Sequence, residues 1–372
     1  MVDVIIVGAG IIGCACAATL ARQGLRVTLI ESGVIGGGAT AAGMGHLVVM
    51  DDNPAELALT SYSLDLWREQ VAAQPLAHEY HRCGTLWVAS DEEEMAAAQD
   101  KHSLMRAHGI ACSMLDATAL HKAEPVLRPG LAGGLLVPDD GLVYPPKSAQ
   151  ILLDQALQHG ATLLRAEVAA LIPGGVRLAE GREIFANEVV IANGLAALKL
   201  LPEIPLRHKK GHVLITDRYP DFARHQLVEL GYIKSAHAST GDSVAFNLQP
   251  RPTGQIMLGS SRQFDVTDKA VEPAILARML QQAISFIPAL AGLKALRSWT
   301  GFRAASPDGL PLIGPHPSRA HVWLASGHEG LGITTSLATA EILKDQITQQ
   351  RSKIDIMPYL PSRFDLSGQM AS

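Results

Sequence analysis

Short β-branched apolar runs alternate with helical stretches over the N-terminal half of the chain. Residues 4–7, Val-Ile-Ile-Val, are continuously apolar, as a strand buried on both faces requires. Glycines follow at once, then a helical run, then a second apolar strand over 26–30. Residues 53–73 open with Asn53-Pro54 and repeat apolar side chains at Leu57, Leu64, Trp67 and Val71, predicting an amphipathic helix capped at Asn53. Residues 91–124 read as helices with polar faces, and Asp91-Glu92-Glu93-Glu94 suits the positive end of the first. A turn at 138–141 precedes a helix over 148–159, and strands are expected within 161–171, 181–184 and 188–191. From 205 to 297 the pattern changes to short alternating runs, such as 212–216, 243–247 and 255–259, which predict an antiparallel sheet with one helix over 272–286. The class is α/β. The stretch beyond Pro358, rich in Pro, Ser and Gln, is expected to be loosely ordered.

The first glycines carry the strongest chemical signal. Gly8, Gly10 and Gly13 lie between a strand and a helix, in the spacing that lets a pyrophosphate approach the backbone at a helix N-terminus. Glu31 ends the second strand and is placed to accept ribose hydroxyls. A carboxylate there would repel a ribose phosphate, so FAD or NAD is favoured over NADP. A second glycine-rich loop spans 33–46, and such density marks backbone lying close to a ligand.

At 372 residues the chain is long enough for two domains, and its 48% hydrophobic and 18% charged content suits a large core. The net charge of −5 argues against nucleic acid as a partner. Cys14, Cys16, Cys83 and Cys112 form no paired motif, and the first two fall on the first helix as buried thiols. His208, His212 and His237 lack metal-ligand spacing, so no metal is expected. The N-terminus has no basic region ahead of its apolar run and reads as a strand, not a signal peptide. No apolar run is long enough to span a bilayer, and a cytoplasmic protein is expected.

The loop Gly37-Gly38-Ala39-Thr40-Ala41-Ala42-Gly43-Met44 resembles the segment that passes under the flavin in the FAD-dependent family of D-amino-acid, glycine and sarcosine oxidases. The likeness extends to Cys83-Gly84-Thr85-Leu86-Trp87-Val88-Ala89 and to the strand 188–194. It continues through Gly301-Phe302-Arg303-Ala304-Ala305-Ser306-Pro307-Asp308-Gly309 and Gly327-His328-Glu329-Gly330-Leu331-Gly332. The resemblance implies non-covalent FAD, held by Gly8, Gly10, Gly13, Glu31, Thr40, Ala41, Met44, Gly45, Val168, Gly327, Gly330, Gly332 and Thr334. Covalent attachment through a cysteine ahead of Asp308, as in sarcosine oxidases, is not expected, since 299–308 contains none. Arg303 matches the arginine that pairs with a substrate carboxylate, which a guanidinium fork engages through two bonds. Ala304 stands where the family usually has proline. His46 and His328 are the candidate catalytic histidines, with a packing or hydrogen-bonding role the expected one for His328.

The fold so implied is an FAD-binding Rossmann-like domain of glutathione-reductase type, from residues 1–78, 141–204 and 299–372. A smaller antiparallel-sheet substrate domain would come from 79–140 and 205–298. The implied reaction is hydride transfer from the C–N carbon of an amino acid to flavin N5, giving an imine. The run Ala41 to Asp52 looks most like the FAD subunits of bacterial D-hydroxyproline, proline or opine dehydrogenases, which work with partner subunits. A self-sufficient oxidase and a non-catalytic electron-relay subunit are the alternatives. Retention of Arg303 argues against the relay, and a lysine over the flavin would favour the oxidase. The strand 255–259 has no such lysine, leaving Lys209 and Lys210 as candidates.

Overall fold

The computed structural model describes residues 2–231 and 242–366; His237 lies outside them. The chain opens with β1 (Val2–Val7), α1 (Ile11–Arg22) and β2 (Val27–Glu31). β1 and β2 run parallel, with Val4 beside Val27 and Val7 beside Ile30. α1 is built from Ile, Gly, Cys, Ala and Leu, and nearly all of it is buried. Its small side chains let it pack against other helices on both sides. Burial pushes the Cys16 thiol up to about 12 and Cys14 higher still, so both are inert.

The glycine-rich loop forms a short helix, α2 (Gly38–Ala42), and a two-residue strand, β3 (His46–Leu47). In α3 (Pro54–Ala73) the Asn53 side chain accepts from the Glu56 N–H at 2.9 Å, closing the expected cap. A single turn, α4 (Pro75–His78), leads into β4 (Thr85–Ala89), α5 (Glu92–Ala107), β5 (Ser113–Asp116), α6 (Ala117–Ala123) and β6 (Gly133–Val137). After β7 (Gly141–Leu142), paired with β3, comes α7 (Pro145–Gln158). This helix starts earlier than the apolar pattern implies, because proline is accommodated in the first turn. β8 (Thr162–Arg165), β9 (Val168–Ile172), β10 (Gly175–Leu178) and β11 (Glu183–Ile191) follow.

The next strands are β12 (Arg207–Arg218), β13 (Gln226–Glu229), β14 (Ser243–Pro250) and β15 (Gln255–Phe264). The chain then runs through α8 (Pro273–Phe286), β16 (Ala295–Ala305), β17 (Leu312–Pro315), β18 (Val322–Ser326) and α9 (Ser336–Ile347). Among the described residues two eight-stranded sheets result, beside the β3–β7 pair. In the first, β18, β11, β1, β2 and β8 are parallel neighbours, β17 is an antiparallel edge, and β9 and β10 form an antiparallel flap on β11.

The second sheet runs β16-β12-β15-β14-β13-β4-β6-β5. It is not wholly antiparallel, as its alternating pattern implies: β13 and β4 pair in parallel, with Val228 beside Trp87. The two strands come from separate excursions of the chain, and the long intervening crossover permits the parallel sense. Residues 299–305 belong to β16 at the edge of this sheet. In β4, β13 and β14 alternate residues enter one core. Leu86, Val88, Leu227, Phe246 and Leu248 pack with Met279 and Phe286 of α8 in one core cluster. Phe246 and Phe286 stack at 4.7 Å.

Residues 359–366 are held in place, contrary to the expectation from their composition; the rest of the stretch beyond Pro358 lies outside the described residues. Tyr359 is fully buried and donates to the Ala55 carbonyl at 2.6 Å. The Arg363 guanidinium meets both carboxylate oxygens of Asp308 and the carbonyls of Leu310 and Pro311. Two anchors outweigh a composition that otherwise gives little to bury. Arg363→Ala is expected to lower stability by about 2 kcal/mol, since it leaves a carboxylate and carbonyls without their donor. The check is a urea unfolding curve, in which an unchanged midpoint would show the anchor to be dispensable.

Candidate active site

A cavity of about 1220 Å³ runs from the carboxyl ends of β1 and β2 to the inner face of the second sheet. It exceeds the volume that one drug-sized ligand needs, leaving room for a dinucleotide and a small substrate together. At its first end Gly8 takes φ +101°, and a Cβ there would stand 2.6 Å from Asn193 Cα. A Cβ on Gly13 would overlap the Gly8 carbonyl oxygen. Both positions therefore require glycine. The Glu31 carboxylate accepts from Ala9 N–H at 2.7 Å and Gly33 N–H at 2.6 Å, fastening the two glycine turns to each other. The Thr40 hydroxyl accepts from Ile11 N–H at 3.0 Å, joining the second glycine loop to the start of α1.

Gly8, Gly10, Glu31, Thr40, Ala41, Met44, Val168, Gly327, Gly330 and Gly332 all line the cavity, as do His46, Arg303 and His328. Gly13, Gly45 and Thr334 do not; they support its walls from behind. Thr334 donates to the His46 carbonyl at 2.9 Å, and Gly45 lies against the Val143 carbonyl. Trp67 of α3 donates to the carbonyls of Ile333 and Thr334, and Ser63 accepts from Ala338 N–H. α3 thereby fixes the turn 327–335 and the helix behind it. Arg251, buried, donates to the Met44 and Val143 carbonyls and ties the glycine loop to the second sheet.

At the far end Arg303 rises from β16 and reaches across β12 to donate to the Ser261 carbonyl of β15 at 3.1 Å. It crosses β12 at Gly211, where a Cβ would stand 2.8 Å from both terminal nitrogens of the guanidinium. Any larger residue at 211 would push the guanidinium aside. His46 is held down to about 4, by burial and then by the Arg251 and Arg303 charges; its Nε2 lies 3.4 Å from the Asn247 amide nitrogen. His328 is held down to about 3 by burial, and its Nε2 meets the Thr339 hydroxyl at 3.0 Å. Both rings are neutral at physiological pH, and His328 is engaged by α9.

Several groups here do not stand out in the linear sequence. Glu329, with φ +51°, forms an ion pair with Lys209 at 2.6 Å. Burial pushes its carboxyl up, but Lys209 and Arg303 pull it down further, to about 2. Lys210 points the other way, into Asp268 and Glu272, and neither lysine lines the cavity. Thr85, Trp87, Val228, Asn247, Ser260 and Arg262 complete the sheet's contribution. Beyond the family likeness that covers Thr85 and Trp87, the signal for them is strand alternation, which fixes that alternate residues share a face and leaves open which face meets the ligand.

Glu56, at the mouth of the cavity, is raised to about 7 by burial and then by the Asp52 charge. Between its ordinary value of 4.5 and about 7 the folded chain keeps a proton that the unfolded chain releases. Stability from this group therefore falls as pH rises through that window. Glu56→Gln is expected to flatten the decline of Tm across the window and to be more stable than wild type at higher pH. Parallel Tm-against-pH curves for the two proteins would exclude a raised Glu56.

The DAO family profile, FAD dependent oxidoreductase, matches residues 3–346. The chain is 28% identical to the glycine oxidase of Pseudomonas putida over 380 residues, covering 96% of this chain and 98% of that one. It is 26% identical to an opine oxidase subunit of Rhizobium meliloti, covering 98% of each. In fold it matches the L-proline dehydrogenase from P. horikoshii with a TM-score of 0.89 and 24% identity, over 98% of this chain and 97% of that one. Among the described residues no helix is long and apolar enough to cross a membrane, and no side-chain cluster suits a metal ion. The glycine turns, the Glu31 carboxylate and a cavity joining both sheets fit the cofactor that this match names, and the chain belongs to the DAO family of FAD-dependent oxidoreductases.

Proposed function

We propose that this chain oxidises the C–N bond of an amino acid or secondary amino acid of D-hydroxyproline, proline or opine type, and works as a dehydrogenase. The observation that carries this reading is Arg303. A guanidinium stands in the cavity, fixed by the Ser261 carbonyl and given its space by Gly211. A planar fork so held suits a carboxylate. FAD supplies the two-electron acceptor when bound.

The chain's own residues hold the cofactor and orient the substrate. The α1 N-terminus and Gly10 suit the pyrophosphate. Glu31 keeps lone pairs for ribose hydroxyls beyond the two N–H groups it already accepts. Val168 and the 327–332 backbone line the cavity and would hold the adenine side and the ring system of FAD. Arg303 fixes the carboxylate, so that the amine-bearing carbon is presented in one orientation. With His46 and His328 both neutral, the site favours entry of a neutral amine and needs no strong base.

Two features support passage of electrons to an acceptor other than oxygen. Lys210 is turned into an acidic pair, and the Lys209 charge is matched by Glu329. Neither leaves an uncompensated ammonium over the ring system, the feature that eases oxygen reduction. A relative named as a subunit of an opine oxidase supports work within a complex. The likeness to glycine oxidases favours the second reading, a self-sufficient oxidase.

The first test is anaerobic bleaching of the yellow protein by a panel of D-amino acids, N-alkyl amino acids and opines. With the substrate so found, Arg303→Ala is expected to lower kcat/KM by roughly 30-fold or more while FAD stays bound, since breaking a desolvated charge pair costs about 2–5 kcal/mol. Unchanged kinetics would sink the assignment. Steady-state turnover is expected to reduce a dye far faster than it releases hydrogen peroxide. Peroxide released at a comparable rate would restore the oxidase.

A further inference from the structure

Of the buried polar side-chain atoms on the second sheet that no described residue satisfies, two line the cavity. The Trp87 indole nitrogen and the Asn247 carbonyl oxygen have no hydrogen-bond partner among the described residues. Trp87 is 3% and Asn247 8% exposed, and both line the cavity. They stand at one level of the sheet, because Trp87 pairs with Val228, and Val228 with Asn247. The orphans are thus a donor and an acceptor on either side of one valine. A ligand that displaces water from both atoms without replacing its hydrogen bonds loses about 1–3 kcal/mol, so the pair discriminates against ligands that lack a matching group.

The Asn247 amide is oriented from behind. Its nitrogen meets His46 Nε2 at 3.4 Å, and burial keeps that ring neutral and able to accept. With the amide hydrogen directed to His46, the Asn247 oxygen is left for the cavity. The charged end of the site lies close by. Asn247 pairs with Gly259 of β15, the strand over which the Arg303 guanidinium comes to rest at Ser261. The distance from guanidinium to Asn247 is therefore on the order of one or two strand spacings, about 5–10 Å. That is the span of a small amino acid.

We infer that Trp87 and Asn247 form a specificity subsite for a hydroxyl group carried by the substrate, on the side away from its carboxylate. The pair suits a group that both accepts and donates; the reacting amine must face the flavin, and beside it a hydroxyl is such a group on a small amino acid. A hydroxyl accepts from the indole N–H and donates to the amide oxygen at the same time. A carboxylate offers no donor to Asn247, an ammonium no acceptor to Trp87, and a methyl group neither. The substrate class is then a small amino or imino acid with a hydroxyl on its side chain or ring. This inference rests on the proposed amino-acid oxidation and narrows it.

The test uses the FAD-loaded full chain and anaerobic flavin reduction in a stopped-flow instrument. The probes are hydroxyproline against proline and serine against alanine, each as both enantiomers. The hydroxylated member of at least one pair is expected to be preferred by about tenfold or more in kcat/KM, the scale of one buried hydrogen-bonding partner. Trp87→Phe keeps the ring and removes the donor, and is expected to reduce that preference to about threefold or less. Asn247→Leu removes the acceptor and tests the same ratio independently, so failure of one variant to fold leaves the other. Equal rates within both pairs, or a ratio unchanged in both variants, would overturn the inference. Bleaching by glycine or an opine alone would also overturn it and leave the broader reading standing. No bleaching by any amino acid would overturn both.

Discussion

Everything in this molecule depends on how closely the first helix can approach the first strand. The contact is made at Gly13, against the carbonyl oxygen of Gly8, and no side chain fits between them. That approach turns the N-terminus of α1 toward the cavity. It also sets the parallel neighbours β2 and β11, whose carboxyl ends complete the same rim. Glu31 and Thr40 then stitch the two glycine loops to this turn through backbone N–H groups. A ligand site made of backbone is rigid only if the backbone is fastened, and these side chains do the fastening.

The second sheet solves a different problem, which is to hold a few side chains at measured distances from one another. Strand alternation sends Leu86, Val88, Leu227 and Phe246 into the core shared with α8, and leaves Trp87, Val228, Asn247 and Arg303 for the cavity. Because neighbouring strands are spaced regularly, residues in register form a ruler across the site. Gly211 is the gap in that ruler through which the Arg303 guanidinium passes.

Several titratable groups around Arg303 are neutral or paired. The two histidines are kept neutral mainly by burial, and Lys209 is answered by Glu329. Glu329 adopts a left-handed backbone, unusual for this residue type, at the point where its carboxylate meets Lys209. An enzyme that oxidises a neutral amine gains from such an environment, since stray charges would hold the substrate in the wrong protonation state.

Local features were legible in the linear sequence. The strand, glycine turn and helix of residues 2–22 and the Asn53 cap rest on neighbouring residues whose backbone constraints act over a few positions, while the candidate arginine at 303 was legible through its resemblance to a family motif. Alternation likewise marked β12, β14 and β15 of the second sheet. Other features needed the tertiary structure. The parallel pairing of β4 with β13 joins residues far apart in the chain, such as Trp87 and Val228. Trp87 and Asn247 meet in one row only through Val228 of a third strand. The end of the chain, unremarkable in composition, is held by single anchors at Tyr359 and Arg363. A period of two fixes which residues share a face, but the face that meets a ligand is chosen by what packs against the other, and here that is α8.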